Sequence, residues 1–230
     1  MQLHVAIALT ALAGCATAGR DPAAVTDASA AGPDARAGGG GRDAAPVHDG
    51  AAATTTDAPQ ADSGGGSPCA MSGVVASWTF TSEPGSQTTT AVASSAPGVV
   101  ASDVQRAASL HSASGAGSMN ASNWATSAQL DASRYYTLSV TPPAGCSLDI
   151  TSATVDAKAS ASGPATATLA ASSDGFAHTV AVSTSAASTP TLSITNQTGA
   201  VEIRIYGFAA TSTAGTMRLQ NTLSLTGRTH

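Results

Sequence analysis

Short runs of alternating apolar and polar residues fill the chain from residue 68 onward, separated by clusters of Gly, Pro, Asn, Asp and Ser. Alternation with a period of two is typical of β-strands that bury one face. In the strongest run, residues 201–206, the inner face carries Val201, Ile203 and Ile205. Runs of the same kind begin at Val75, Tyr136, Leu148, Ala165, Val180, Leu192, Met217 and Leu223. Since no stretch shows a sustained helical period, we expect about eight to ten strands in an all-β, antiparallel β-sandwich of jelly-roll type.

The start of the chain has a different pattern, an apolar stretch of eight residues over 5–12. This is the length of a signal-peptide core and far less than the ~20 residues of a membrane-spanning helix. The stretch runs into Leu12-Ala13-Gly14-Cys15, which resembles the bacterial lipobox. The resemblance implies that residues 1–14 are a lipoprotein signal peptide and that Cys15 becomes a lipidated N-terminus carrying chains such as palmitate. We therefore expect a membrane anchor and a location in the cell envelope, at the outer membrane or cell surface.

Residues 15–67 separate this anchor from the strand-forming part of the chain. They consist almost entirely of small and polar residues, and Val25 and Val47 are their only large aliphatic side chains. Such a segment cannot bury a core, so we expect a disordered linker. As a flexible coil it would span roughly 40 Å. The folded domain is then expected over residues 68–230.

The cysteine count is odd, because the chain has three cysteines and Cys15 is assigned to lipidation. Cys69 and Cys146 remain as a pair in a chain that is expected to be exported to an oxidising compartment. We predict a disulfide bond between them, and the alternative is two free buried thiols. The absence of a C-x-x-C motif and of a neighbouring histidine cluster argues against a redox motif or a metal site.

Aromatic and turn positions in residues 68–230 occur in a characteristic order. The segments are Ala76-Ser77-Trp78-Thr79-Phe80, Ala121-Ser122-Asn123-Trp124, Leu130-Asp131, Tyr135-Tyr136-Thr137-Leu138, Ser162-Gly163-Pro164, Ser172-Ser173-Asp174-Gly175-Phe176, Val201-Glu202-Ile203-Arg204-Ile205-Tyr206-Gly207 and Gly215-Thr216-Met217-Arg218-Leu219-Gln220-Asn221. Together they resemble an uncharacterised β-sandwich domain of bacterial secreted and surface-anchored proteins, found beside PEP-CTERM or Bacteroidetes sorting signals. The resemblance implies a fold and a location but no activity.

The charge content narrows the possible partners. Charged residues make up 10% of the chain, the formal net charge is -5, and no run of Lys or Arg could neutralise a row of phosphates. Nucleic acid is therefore not expected as a partner. No cofactor is expected either, because no cofactor-binding motif is present.

Catalytic groups are sparse in the strand-forming region. A serine hydrolase would need Ser, His and a carboxylate at one site, usually with a G-x-S-x-G turn, which the chain lacks. Before the terminal residue, the region contains only His111 and His178, and a lone histidine is most often structural. Asp174 in Ser-Asp-Gly reads as a turn former, with a Ca²⁺ ligand as the alternative. We predict no catalytic residues and no metal site.

Aromatic rings are the remaining candidates for recognition. Sugar-binding sandwiches stack exposed rings against the sugar beside a few polar groups. Trp124, Tyr135 and Tyr206 are the candidate rings, with Arg204 as the polar neighbour. Tyr206 and Arg204 are expected to be the most exposed, since they lie opposite the apolar face of their strand. The alternative is that these rings pack the interior of the sandwich.

Two functions are compatible with these features. The first is a non-enzymatic surface lipoprotein whose sandwich serves adhesion or the binding of a ligand such as a glycan or another envelope component. The second is a polysaccharide-active hydrolase or lyase with a groove on the sandwich. A cluster of His111 or His178 with two acids would favour the second.

The lipobox prediction is tested by the intact mass of the envelope-bound protein from its native host. We expect a chain that starts at Cys15 with a diacyl or triacyl mass increment, and loss of that increment in a Cys15→Ala variant. An unmodified chain that starts at Met1 would contradict both the anchor and the location.

Overall fold

A computed structural model describes residues 69–230, and this part of the chain is built almost entirely of β-strands. The predicted signal peptide, Cys15 and the predicted linker lie outside the described residues. The strands are β1 (Met71–Thr79), β2 (Pro84–Gly85), β3 (Thr89–Thr90), β4 (Val92–Ser95), β5 (Val100–Ala101), β6 (Val104–Arg106), β7 (His111–Ala113), β8 (Ser118–Ser122), β9 (Tyr135–Thr141), β10 (Leu148–Thr154), β11 (Ala157–Ala159), β12 (Pro164–Ala171), β13 (Thr179–Val182), β14 (Thr191–Gln197), β15 (Val201–Ala210), β16 (Met217–Gln220) and β17 (Thr222–Thr229). The single helical element among these residues is a 3-10 turn at Ser172–Asp174.

The strands form three sheets. Sheet A has the order β14-β10-β17-β1-β4 and is antiparallel throughout. Sheet B has the order β11-β16-β8-β2, with β7 also paired to β8, and its β2–β8 pair is parallel. Sheet C has the order β13-β12-β15-β9-β6-β3, with β5 paired to β9. The buried apolar residues of all three sheets form one core cluster, which confirms the predicted all-β, antiparallel sandwich.

The chain crosses directly between sheets A and B at two places, where a strand of one sheet leads into a strand of the other. The chain passes from β10 to β11 through Val155 and Asp156, and from β16 to β17 through Asn221. β10 pairs with β17 in sheet A, and β11 pairs with β16 in sheet B. Asn221 has φ 56, and Asp156 accepts hydrogen bonds from the side-chain amides of Gln220 and Asn221. The corner between the sheets is therefore held by side-chain hydrogen bonds.

The predicted inner faces are correct where the alternation is strongest. Val201, Ile203 and Ile205 of β15 are fully buried, while Glu202 and Arg204 are partly exposed. The strand number differs, because residues 69–230 contain seventeen strands and not eight to ten. The extra strands lie mainly in residues 84–122, where β2 to β8 have two to five residues each. Strands this short are too brief to show a period of two in the sequence.

The guanidinium group of Arg106 holds this region of short strands in place. One guanidinium nitrogen donates to the carbonyl oxygens of Gly85 at 3.3 Å and Asn120 at 3.2 Å. The other donates to the carbonyl oxygens of Ser86 at 3.1 Å and of Gln87. Arg106, a residue of sheet C, thereby donates to carbonyl groups of two strands of sheet B, β2 and β8. It also donates to carbonyl groups of the loop that follows β2.

Tyr136 connects sheet C to sheet B through the core. Its side chain is fully buried, and its hydroxyl group lies 3.1 Å from the carbonyl oxygen of Met119 and 2.6 Å from that of Met217. The ring of Trp124 packs against it at a centroid distance of 5.4 Å. Burial raises the pKa of Tyr136, so the phenol stays protonated and can donate.

The predicted disulfide bond is confirmed. Cys69 and Cys146 are bonded, with their Cα atoms 5.2 Å apart and a sequence separation of 77 residues. Cys69 precedes β1 and Cys146 precedes β10, so the bond joins the start of the described chain to its middle. By the loop-entropy model a bond that closes so long a loop stabilises the fold by about 4 kcal/mol.

Replacement of Arg106 tests its role in the short-strand region. Arg106→Met should lower the free energy of unfolding by about 3 kcal/mol, because several partly buried carbonyl groups lose a charged donor. Arg218→Met is the matched control, since Arg218 has no ion pair or hydrogen bond through its side chain within residues 69–230. Urea denaturation of both variants measures the difference, and equal loss of stability in the two would contradict the assignment.

Candidate ligand-binding face

The outer surface of sheet C brings together most of the predicted ligand-binding residues. β15 and β9 are paired so that Tyr206 lies opposite Tyr135, Arg204 opposite Thr137 and Glu202 opposite Ser139. Directly opposed residues of an antiparallel pair point to the same side of the sheet. We call this surface, with the side chains of Tyr135, Thr137, Phe176, Glu202 and Arg204, the sheet C face.

Arg204 lies between two aromatic rings on the sheet C face. Its guanidinium carbon is 4.3 Å from the ring centroid of Tyr135 and 4.0 Å from that of Phe176. Its Nε donates to Glu202 Oε1 at 2.7 Å. Cation–π contacts of this kind are favourable, and more so where water is partly excluded. The cation is thus held by two rings and one carboxylate, which fixes the positions of all three.

Phe176 reaches Arg204 through the tight turn that follows β12. Gly175 has φ 69 and Phe176 has φ 64, and the Phe176 amide donates to the carbonyl oxygen of Ala171. The Asp174 carboxylate accepts hydrogen bonds from the backbone amides of Ala177 and His178. Asp174 therefore acts as the turn former that the Ser-Asp-Gly sequence predicted. The turn is what places an aromatic ring over the guanidinium group.

An open groove of about 460 Å³ adjoins the rings along the sheet C face. Seven of its nine lining residues have polar side chains, and the lining consists of Ser102, Asp103, Gln105, Thr137, Leu138, Ser139, Ser172, Ala200 and Glu202. Glu202 connects the groove to the rings, because Oε1 accepts from Thr137 Oγ1 at 2.9 Å as well as from Arg204. Within residues 69–230, the Asp103 carboxylate and Glu202 Oε2 have no hydrogen-bond partner. Both are available as acceptors for a ligand.

The electrostatic environment keeps Glu202 ionised. Partial burial acts to raise its pKa, but hydrogen bonds from Arg204 and Thr137 and the positive charge of Arg204 outweigh that influence. The pKa of Glu202 is therefore lowered from its ordinary value. At neutral pH the groove presents a carboxylate at this position, not a carboxylic acid.

Two of the four predicted ligand-binding residues need correction. Tyr206 was expected to be exposed but is only 2% exposed, because the ring of Tyr135 packs edge-on against it at 5.6 Å. Trp124 is fully buried, and its indole N–H donates to the carbonyl oxygen of Ala121 at 2.8 Å. Trp124 is thus a core residue and offers no ring to a ligand. Tyr135 and Arg204 do lie at the surface of the sheet C face.

Sequence reasoning missed several residues of this face. Asp103 directly precedes the short strand β6 and Gln105 lies within it. This strand is too short to show an alternating pattern in the sequence. Phe176 was noted only as part of a turn, although it completes the pair of rings around Arg204. Glu202 was noted only as a member of the alternating run over residues 201–206. Glu202 lies two residues before Arg204 in the same strand. This separation was the one sign in the sequence that the two side chains share a face.

The histidines do not assemble a catalytic cluster in the described part of the chain. His111 lies in β7 of sheet B, and His178 lies in the turn after β12, where its Nδ1 is 2.7 Å from Asp174 Oδ2. The His178 side chain is 87% exposed. This pair lines a cleft of about 500 Å³ between β12, β13 and β14, and Asp174 is the single acid in that lining. No group of three or more His, Cys, Asp or Glu side chains suited to a metal ion occurs in residues 69–230.

The interactions of Glu202 predict a pH-dependent contribution to stability. Its lowered pKa means that the ionised form stabilises the fold above the pKa of the unfolded chain, and that this is lost as pH falls through the folded pKa. Glu202→Gln should therefore lower the free energy of unfolding near neutral pH by about 1 kcal/mol or less, since the site is partly exposed. The difference from the unmodified protein should shrink toward about pH 3.

Urea denaturation at the two pH values measures this effect. Glu83→Gln is the matched control, because the Glu83 carboxylate has no hydrogen-bond partner within residues 69–230. A Glu202→Gln difference that stays constant or grows on acidification would contradict the role of the ionised group.

Comparison with known proteins identifies no relative of this chain. No family model matches the chain, and no curated protein and no solved structure is significantly similar to it. The resemblance to secreted bacterial β-sandwich domains remains a prediction.

Proposed function

We propose that the protein is a lipid-anchored component of the bacterial cell envelope whose β-sandwich domain binds glycans through the sheet C face. One observation carries the proposal: the rings of Tyr135 and Phe176 lie beside a polar groove in which Asp103 and Glu202 keep free carboxylate oxygens. Aromatic surface next to a few fixed acceptors is the arrangement by which proteins recognise sugars.

The polarity of the groove fits an uncharged, hydroxyl-rich ligand. Carboxylates accept hydrogen bonds from hydroxyl groups, and such charge-assisted bonds are stronger than neutral ones. The cation on this face, Arg204, is already held by Glu202 and by two rings. Asp103 adds a further negative charge to the groove. The face therefore favours neutral glycans over acidic ones.

The proposed location is supported by the lipobox and by the disulfide bond. Leu12-Ala13-Gly14-Cys15 resembles a lipoprotein cleavage and lipidation site. Disulfide bonds form and persist mainly in oxidising compartments, and Cys69–Cys146 is such a bond. An exported, membrane-anchored domain satisfies both observations.

A polysaccharide hydrolase is the second candidate function, and one observation favours it. Asp103 and Glu202 line the same groove, and glycosidases use two carboxyl groups across a scissile bond. In such enzymes one carboxyl group is ionised and the other, the general acid, has a raised pKa. The lowered pKa of Glu202 fits the ionised member, so the acid would have to be Asp103. Binding is the first candidate because it needs only the groove, whereas cleavage also needs the two carboxyl groups to flank the scissile bond.

Affinity electrophoresis of the full chain in detergent, through gels that contain soluble neutral polysaccharides such as glucans, galactomannan and xylan, tests the proposal. We expect retardation by at least one polymer. Asp103→Asn and Glu202→Gln should each weaken that binding by about tenfold, the equivalent of losing one charged hydrogen bond. Glu83→Gln, which removes the same charge outside the groove, should bind normally.

Two outcomes would contradict the proposed function. One is the absence of retardation by every polymer, and the other is retardation that neither groove variant weakens. Release of reducing ends from a bound polymer, abolished by Asp103→Asn, would replace binding with hydrolysis as the function.

A further inference from the structure

The outer surface of sheet B carries two positive charges side by side. Lys158 in β11 lies directly opposite Arg218 in β16, and Arg218 lies directly opposite Asn120 in β8. Directly opposed residues share one side of the sheet, so these three side chains form a row across three strands. We call Lys158, Arg218 and Asn120 the sheet B row.

The two cations form no ion pair. Neither Lys158 nor Arg218 takes part in an ion pair or a side-chain hydrogen bond within residues 69–230. The Asp156 carboxylate, two residues before Lys158, accepts hydrogen bonds from the neutral side-chain amides of Gln220 and Asn221 and is not paired with either cation. Like charges directly opposite each other in a sheet are destabilising. An anion bound between them would remove that repulsion.

Asn120 provides a second, independent sign of a ligand. The residue is only 6% exposed, and its Nδ2 donates to the carbonyl oxygen of Ser114 at 2.8 Å. Its Oδ1 is buried and has no hydrogen-bond partner. Buried polar atoms without a partner are rare, because the lost hydration is not replaced. Oδ1 has almost no accessible surface, so a ligand hydroxyl would satisfy it once the side chain turns toward the neighbouring cavity.

These groups line one small cavity. Its volume is about 230 Å³, and Asn120, Lys158 and Arg218 share its lining with Ala159, Ser160 and Thr216. This is smaller than the roughly 300–1,000 Å³ of pockets for drug-sized ligands. The cavity therefore suits a ligand of the size of one sugar unit.

We propose that the sheet B row binds the carboxylate of an acidic sugar, a uronate. The planar guanidinium group of Arg218 matches the two oxygens of a carboxylate, and Lys158 adds a point charge beside it. A hydroxyl group of the same sugar donates to Asn120 Oδ1. The site is distinct from the sheet C face, and it selects an acidic sugar where the sheet C face favours neutral ones.

Isothermal titration of the full chain in detergent with sodium glucuronate, glucose and sodium acetate tests the proposal. Glucuronate offers both the anion and the hydroxyl groups, glucose lacks the anion, and acetate lacks the hydroxyl groups. We expect glucuronate to bind and the other two to bind at least about tenfold more weakly.

Substitutions place the binding on the sheet B row. Lys158→Gln and Arg218→Gln should each weaken glucuronate binding by about tenfold, and the double variant should abolish it. Without ligand, the unfolding midpoint of each single variant should stay equal or rise, because the repulsion between the cations is relieved. Arg228→Gln, which removes the same charge from sheet A, should leave glucuronate binding unchanged.

Three results would overturn the inference. They are no binding of glucuronate, binding that persists in the double variant, and acetate binding as tight as that of glucuronate. The last result would show a site for simple anions that makes no use of Asn120. None of these results bears on neutral glycans at the sheet C face, so the two sites can fail separately.

Discussion

The hydroxyl group of Tyr136 lies inside the sandwich between the carbonyl oxygens of Met119 and Met217. A buried hydroxyl group that lost these acceptors would cost about 1–3 kcal/mol, so the contact fixes β9 relative to sheet B. Neighbouring residues of a strand point to opposite sides. The position of Tyr136 in the core therefore also fixes Tyr135 and Thr137 on the sheet C face. The same strand, β9, therefore supplies a core contact on its inner side and part of the candidate binding surface on its outer side.

The long strands of the fold could be predicted from the sequence, and the short ones could not. In β15 the alternation of large aliphatic and polar residues predicts which side is buried. Val201, Ile203 and Ile205 are indeed buried in the structure. In residues 84–122 the strands are held by contacts with distant segments, as between Arg106 and the carbonyl groups of residues 85–87. Such pairings are set by tertiary structure and leave no local pattern. The Cys69–Cys146 bond was predictable because the expected export and the expected lipidation of Cys15 left one pairing of the three cysteines.

The candidate site was only partly predictable for a related reason. The sequence shows that Arg204 and Tyr206 point away from the aliphatic side of β15, but it does not show what covers them. Tyr206 is buried by Tyr135 of the neighbouring strand, and Arg204 is covered by Phe176 from a turn 28 positions earlier in the chain. The same limit applies to Lys158 and Arg218, which are 60 residues apart and become neighbours only through the pairing of β11 with β16.

The disulfide bond also determines how the domain would respond to mechanical load. A pull on the chain before Cys69 does not act on β1 alone, because the covalent bond to Cys146 passes part of the tension to the start of β10. Without the bond, β1 could be peeled from β17 and β4 one hydrogen bond at a time. With it, the tension enters sheet A at two strands that both pair with β17, so β1 and β10 must be separated from it together. Separating two strands at once breaks more hydrogen bonds at each step than peeling one, a property that would suit a domain with the proposed N-terminal anchor.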